Sequence, residues 1–508
     1  MAKNSAKTSA EKTGKSKKHI LGSGDKSDFI VNMTPEQTRK LCGVYSMIAM
    51  ILMALSSVPY YISKAIGFGS SYMMLRTENN DTTIFVISTM LIATGFIGMV
   101  IFLIACMKNE VMVKRNKAMI IFVGIIISAA ISALTSYDVN SGLNGYLDRA
   151  EGLISIIGYI GFFTIGICLT DEKWRRNASG TIIGIGTVNA VMGILQSIPA
   201  LGKVIPSYYN FLFLGYKSEV RFAEYFNAYG AYDASYAADG LTCSPFALGA
   251  LLTVAAAFAV NRAIYTESSA ARVICLICTG IMSGAAVVTQ TFPAMLGVGC
   301  VLVVSLIVSI ADSKKNKGQV VSAVLSLVTA GVIAAGVCIT DNFRMSNEQI
   351  IFTDSVERLG IANNSHSEHS DGIYSTLWYD GWLVFKENAV KGVGPDNWST
   401  MSHNSEMMET DRTYNEYLDT AVTRGVLGLA LYLIMLVITL VKAARVMKET
   451  MKNGGDKAAA VGAFTALICF VVQAFFNTTS ICSTPFFYLM IGLIWSFEAK
   501  GRITGSGK

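Results

Sequence analysis

Charge is scarce in this sequence. Asp, Glu, Lys and Arg make up 15% of its 508 residues, where a water-soluble protein carries about a quarter. That shortage, set against 52% apolar residues, excludes a string of soluble domains. Histidine is scarcer still, at four residues, few for a metalloenzyme. His366 and His369 share a polar tract with His403 further on, and their spacing does not define a ligand set. There is no Gly-rich phosphate loop, nucleotide-binding fingerprint or Gly-x-Ser-x-Gly elbow. Basic residues cluster only near the N-terminus, so a nucleic-acid surface is absent. The ten cysteines lie mostly in apolar runs, and none falls between 341 and 419. No disulfide framework braces that interval. Cys275 and Cys278 read as small buried hydrophobes. Residues 1–32 are rich in Lys, Ser and Gly and too polar to bury a core. No apolar run follows them closely enough to make a cleavable signal.

What is present is a series of apolar runs of about 20 residues, the length that crosses a bilayer as a helix. They predict an all-α polytopic transmembrane bundle of about 12 spans: 42–62, 84–107, 118–136, 152–170, 180–198, 243–261, 272–289, 292–311, 319–340, 420–441, 459–476 and 483–498. Thr34, Pro35 and Gln37 predict a capped helix start before the first of them. Lys and Arg concentrate in alternate loops, among them Lys114/Arg115/Lys117, Lys173/Arg175/Arg176 and Lys442/Arg445/Lys448. The positive-inside rule then places both termini in the cytoplasm of a bacterial cell and the loops at 199–242 and 341–419 outside. The expected organisation is a disordered basic tail at 1–32, spans 1–9 at 33–340, an extracytoplasmic loop between spans 9 and 10 at 341–419, spans 10–12 at 420–498 and a short tail at 499–508.

The spans hold almost no charge; Asn189, Gln196 and Gln473 are among their few polar residues. Ion-coupled transporters keep ionisable groups inside the bundle, and no repeat relates the two halves. The work is therefore expected at the outer face. The interval 341–419 holds about 14 acidic and 5 basic residues and three tryptophans, Trp378, Trp382 and Trp398. One or two short interfacial helices are expected there. The loop at 199–242 is dense in Tyr and Phe, which suits either sugar stacking or interfacial anchoring.

Three segments share a pattern. Gly240-Leu241-Thr242 enters a span after an outer loop. Trp378 is followed by Gly392-Val393-Gly394-Pro395-Asp396-Asn397-Trp398. Asn415-Glu416-Tyr417-Leu418 is followed by Arg424-Gly425. Together they resemble the O-antigen ligase and polymerase superfamily of bacterial cell envelopes. The resemblance implies a membrane glycosyltransferase that polymerises or ligates an undecaprenyl-pyrophosphate-linked glycan at the outer face of the cytoplasmic membrane. Its implied partners are that lipid-linked glycan, membrane lipid and an acceptor glycan or cell-wall anchor. It implies no metal or other cofactor. The family's two arginines and its histidine are replaced by Ala237, Tyr374 and Tyr414. A transporter or flippase, and an inactive member of the family, remain as alternatives.

Breaking the bond to a polyprenyl pyrophosphate requires cations at the leaving group, and Arg presents paired donors to phosphate oxygens. Arg412 and Arg424 flank the third segment and would lie roughly 18 Å apart along a helix. That spacing suits a groove. Arg412 alternatively pairs with Glu416, and Arg424 alternatively snorkels to the interface. A carboxylate, Glu416 or Asp419, is a more credible base than the Tyr414 phenol, whose ordinary pKa is about 10. The candidate catalytic residues are Glu416, Arg412 and Tyr414. The candidate substrate-binding residues are Arg424, Asn415, Arg221, Arg358, Trp378, Gly392 and Gly394. Asn415 orients substrate or caps a helix.

Overall fold

A computed structural model describes residues 33–58, 82–111, 117–146, 149–198, 201, 238–242, 244–289, 291–312, 317–339, 373–401 and 412–498. The predicted tail at 1–32, much of both large loops, Arg221, Arg358, Ala237 and the three histidines His366, His369 and His403 lie outside them.

The described chain is helical throughout, with no β-strand. α1 is Pro35–Ala54, α2 Thr82–Met107, α3 Lys117–Leu134, α4 Val139–Asn144, α5 Leu153–Ile167 and α6 Glu172–Ser197. α7 is Pro245–Tyr265, α8 Ser269–Val288, α9 Phe292–Asp312 and α10 Lys317–Ile339. Two short helices follow, α11 Ile373–Glu387 and α12 Trp398–Met401, then α13 Glu416–Asn453, α14 Lys457–Gln473 and α15 Thr484–Ser496. Each apolar run read from the sequence overlaps a helix, although the first, read to 62, is helical only to Ala54, with 59–62 outside the described residues. Seven are long and apolar enough to cross a membrane, and α3, α5, α14 and α15 are shorter apolar helices. The first helix begins earlier than its apolar run, because Thr34 and Gln37 form the capping box (Thr34 N–H to Gln37 Oε1, 2.8 Å; Gln37 N–H to Thr34 Oγ1, 3.3 Å). α13 overruns its predicted limits at both ends, from a polar N-cap to an amphipathic tail rich in Lys and Arg.

α7 is the hub. Its spanning stretch is 94% buried, and α6, α8, α9 and α14 pack around it. Small residues permit this: a Cβ on Gly249 would lie 2.6 Å from Ala294 of α9. In the other half α5 is clasped between α2 and α15. A Cβ on Gly166 would lie 2.2 Å from the Leu489 carbonyl, and one on Gly492 2.2 Å from the Phe163 carbonyl. Bare Cα–carbonyl contact of this kind is how apolar helices associate when lipid removes the hydrophobic drive.

The two ends of the bundle differ in chemistry. At the basic end, Arg39 pairs with Glu110 at 3.3 Å and Asp171 at 3.2 Å, and Lys442 pairs with Glu498 at 2.5 Å. At the opposite, loop end, the three amides noted within the spans hold turns in place. Gln196 takes the Gly240 N–H and donates to its carbonyl at 2.8 and 2.9 Å. Asn189 takes the Leu241 N–H at 2.9 Å. Gln473 accepts from Asn477, which also donates to the Phe246 carbonyl. Their carbonyl and amide dipoles satisfy backbone groups that would otherwise be stranded beside apolar helices.

Candidate active site

The site grows from a break in α13. Gly425 sits at φ +69° and ψ −176° inside the helix, a conformation an L side chain rarely takes. The break strands the carbonyls before it and an N–H after it. The turn after α11 takes them up. Val393 N–H donates to the Val422 carbonyl at 2.9 Å, and Gly394 N–H to that of Thr423 at 3.0 Å. Val426 N–H donates to the Ala389 carbonyl at 2.8 Å. Ser132 of α3 adds a bond to the Thr423 carbonyl at 2.5 Å. Gly392 and Gly394 have φ of +72° and +104°, and a Cβ on Gly392 would lie 2.5 Å from Thr423. The Gly-x-Gly turn and the Gly425 break are thus one joint.

The joint carries Asp396 into the protein. This residue also has positive φ, at +60°. Its carboxylate pairs with Arg149 at 2.9 Å, both side chains buried. It also takes the Tyr146 N–H at 2.6 Å and the Glu151 N–H at 3.4 Å. One carboxylate therefore fastens the segment between α4 and α5 onto the turn after α11.

Beside this joint lies a narrow charged cleft. Arg412, Asp419, Thr423 and Arg424 form one wall; Glu151, Ile156 and Tyr159 form another. Pro395, Asp396 and Trp398 come from the turn, and Thr479 and Tyr488 close the far side. Arg412 meets Glu151 Oε2 at 2.8 Å and donates to the Thr479 carbonyl. Burial alone would lower the Arg412 pKa, but Glu151, Asp396 and Asp419 raise it further. It stays a cation. Burial pushes Glu151 up to about 7, with Arg412 opposing and Asp396 adding to the rise. Arg424 donates to Thr420 Oγ1 at 3.1 Å, and its Nε is buried without a hydrogen-bond partner among the described residues.

The sequence-predicted residues divide around this cleft. Arg412 and Arg424 converge on it. Arg412 precedes the first turn of α13, and both arginines line one cavity, not opposite ends of a groove. Arg412 pairs with Glu151, far away in sequence. Glu416, Tyr414 and Asn415 are not among the lining residues. Glu416 is buried and takes the Thr479 N–H at 2.8 Å. Asn415 caps α13, accepting from the Tyr417 and Leu418 N–H groups at 3.1 Å each. Tyr414, at φ +49°, lies with its ring 4.7 Å from that of Phe246 at the start of α7. Trp378 of α11 packs on Phe476 at 5.8 Å. Gly392 and Gly394 form the joint. Asp396 is an ion-pair partner, and no cluster of three potential metal ligands occurs among the described residues.

Glu151, Arg149 and Thr479 were not anticipated. The signal available was the pair of opposite charges in Arg149-Ala150-Glu151, at the mouth of an apolar run.

Fold and site define an all-α polytopic membrane protein with a charged cleft at one end of its bundle. Residues 277–433 match the family model described as O-antigen ligase. Over that stretch the chain is similar to O-antigen ligases, which supports a relation to that superfamily and a membrane glycan ligase or polymerase in general. The match covers two of the three resembling segments, from Trp378 through Arg424, and leaves Gly240 and Glu151 outside. No curated protein matches the chain.

Proposed function

We propose that this protein transfers a glycan from a polyprenyl pyrophosphate carrier, undecaprenyl in a bacterial cell, to an acceptor hydroxyl at the outer face of the cytoplasmic membrane. The observation that carries the reading is the meeting of Arg412 and Arg424 in one cleft inside or beside the family-matched segment, with the Arg424 Nε unbonded. Two guanidinium groups suit a pyrophosphate leaving group, whose charge grows as the sugar bond breaks. Segregation of the basic loops to the other end of the bundle supports an outward-facing cleft with both termini cytoplasmic. The acceptor is another glycan repeat or a cell-wall anchor.

Deletion of the gene followed by analysis of surface glycan tests the reaction class. Shortened chains mean polymerase, and free lipid-linked polymer means ligase. Substrate held on the inner leaflet means flippase and overturns the proposal. In complementation, Arg412→Ala and Arg424→Ala are expected to lose polymer by about a hundredfold or more at equal protein abundance. Tyr414→Phe removes one hydroxyl and is expected to stay within about tenfold of the parent. A dead Tyr414→Phe beside two active arginine variants would show that the tyrosine does the work of the family histidine.

A further inference from the structure

We infer that Glu151 is the proton acceptor of the proposed transfer, poised in the cleft by Arg412 and released when the pyrophosphate draws that arginine's charge. The inference rests on the function proposed above. It starts from a vacancy in chemistry: the family histidine's position holds Tyr414, whose ring lies on Phe246 and is not part of the cleft lining. Glu416 is likewise off the lining, with one carboxylate oxygen bonded to Thr479 N–H.

Three carboxylates do line the cleft. Asp396 is committed to Arg149 and two backbone N–H groups. Asp419 interacts with the charges of both arginines, Arg412 and Arg424. Glu151 differs from both. Its contacts, Arg412 at 2.8 Å and Thr479 Oγ1 at 3.4 Å, fall on Oε2 alone. Oε1 has no hydrogen bond among the described residues. Glu151 lines the cavity that also holds the two arginines. The charged and titratable groups acting on it are Arg412, Asp396, Arg149, Asp419, Tyr159 and Glu416. Burial among them raises the carboxyl to about 7, the range in which a general base is most effective at neutral pH.

The step balances without a further reactant. The acceptor oxygen attacks the anomeric carbon, and its proton passes to Glu151 Oε1. The bond from that carbon to the pyrophosphate oxygen breaks, and the electron pair leaves with the polyprenyl pyrophosphate. Arg412 and Arg424 neutralise the leaving group. With the arginine engaged there, Glu151 loses its counter-charge and holds the proton more readily. The proton returns to water as products depart.

The test uses purified full-length protein with membranes of the deletion strain, which supply donor and acceptor. Radiolabelled undecaprenyl pyrophosphate serves as the binding probe. Glu151→Gln keeps the shape and a hydrogen bond to Arg412 and removes the base. It is expected to bind the probe within about threefold of the parent while transfer falls by about a hundredfold or more. The parent's rate should fall as pH drops through about 7, because the base becomes protonated. Glu151→Asp should retain measurable transfer, with this acid limb moved to lower pH. Transfer by Glu151→Gln within about threefold of the parent overturns the inference, as does an unmoved acid limb in Glu151→Asp. Should Glu151→Gln fail to fold, the Asp variant alone decides. A parent that binds no probe and makes no polymer refutes the proposed function itself, a different outcome from an active parent with an equally active Glu151→Gln.

Discussion

Asp396 shows how much one side chain can organise. It sits at φ +60° and gathers Arg149, Tyr146 and Glu151 around one carboxylate. Burying an ion pair costs desolvation of both charges, so the pair is not a source of stability against an apolar substitute. Removing one partner is nevertheless severe, because the other charge stays buried. Asp396→Asn is expected to cost about 3–5 kcal/mol, read as a lower midpoint in thermal unfolding of the purified protein. It should also reduce transfer, since Glu151 is fastened through its own N–H to the same carboxylate. An unchanged midpoint would mean that the turn after α11 holds its place without this pair. Residue-level reasoning located the arginines because their chemistry is tied to phosphate. Glu151 stands out less, because charges beside an apolar run look like ordinary loop charges.

The decisive element is α13 with its joint. A continuous helix would set Arg412 and Arg424 far apart on a rod, which is what spacing alone predicts. Residues 412–415 precede the helix and bring Arg412 to the cleft that Arg424 lines, and the Gly425 break, just after Arg424, fastens that short helical segment to the turn after α11. Gly425→Ala puts a Cβ 2.4 Å from the Val390 carbonyl and costs about 1–2 kcal/mol for the left-handed backbone before any clash is counted. It is expected to lower the thermal midpoint and to abolish surface polymer, by displacing the turn that caps the stranded carbonyls. Gly299→Ala, where a Cβ would meet nothing within 4 Å, is the control and should change stability by no more than about 0.5 kcal/mol. Equal behaviour of the two variants would dismiss the joint. In the sequence Gly425 reads only as the end of a motif segment, because a positive φ has no signature beyond the glycine itself.

At the scale of the molecule, the segments predicted to lie outside come together. Residues 146–151, 392–398, 412–424 and 479 meet around one cleft, while Arg39, Asp171, Lys442 and Glu498 form pairs at the other end. In a background freed of native cysteine, Asn140→Cys and Ser365→Cys are expected to react with an impermeant thiol reagent in intact cells. Lys173→Cys and Ser313→Cys should react only after permeabilisation. Labelling of the second pair without the first would invert the protein and move the cleft to the cytoplasm.

By itself the sequence determined the class of structure: apolar runs of bilayer length must become helices, since no other single segment satisfies its backbone in lipid. Local order also settled the start of α1, because Thr34 and Gln37 need only each other and the adjoining backbone. The three motif segments were legible for the same reason, each being short and contiguous. Only tertiary structure decided which charges share a site. Glu151 and Arg412 are 261 positions apart, and nothing in either neighbourhood names the other. Their pairing follows from how α5, α13 and α15 pack and from where the Gly425 break turns the chain. Electrostatic partnership depends on distance through space, and along a folded membrane chain that distance is set by helix packing, not by sequence separation.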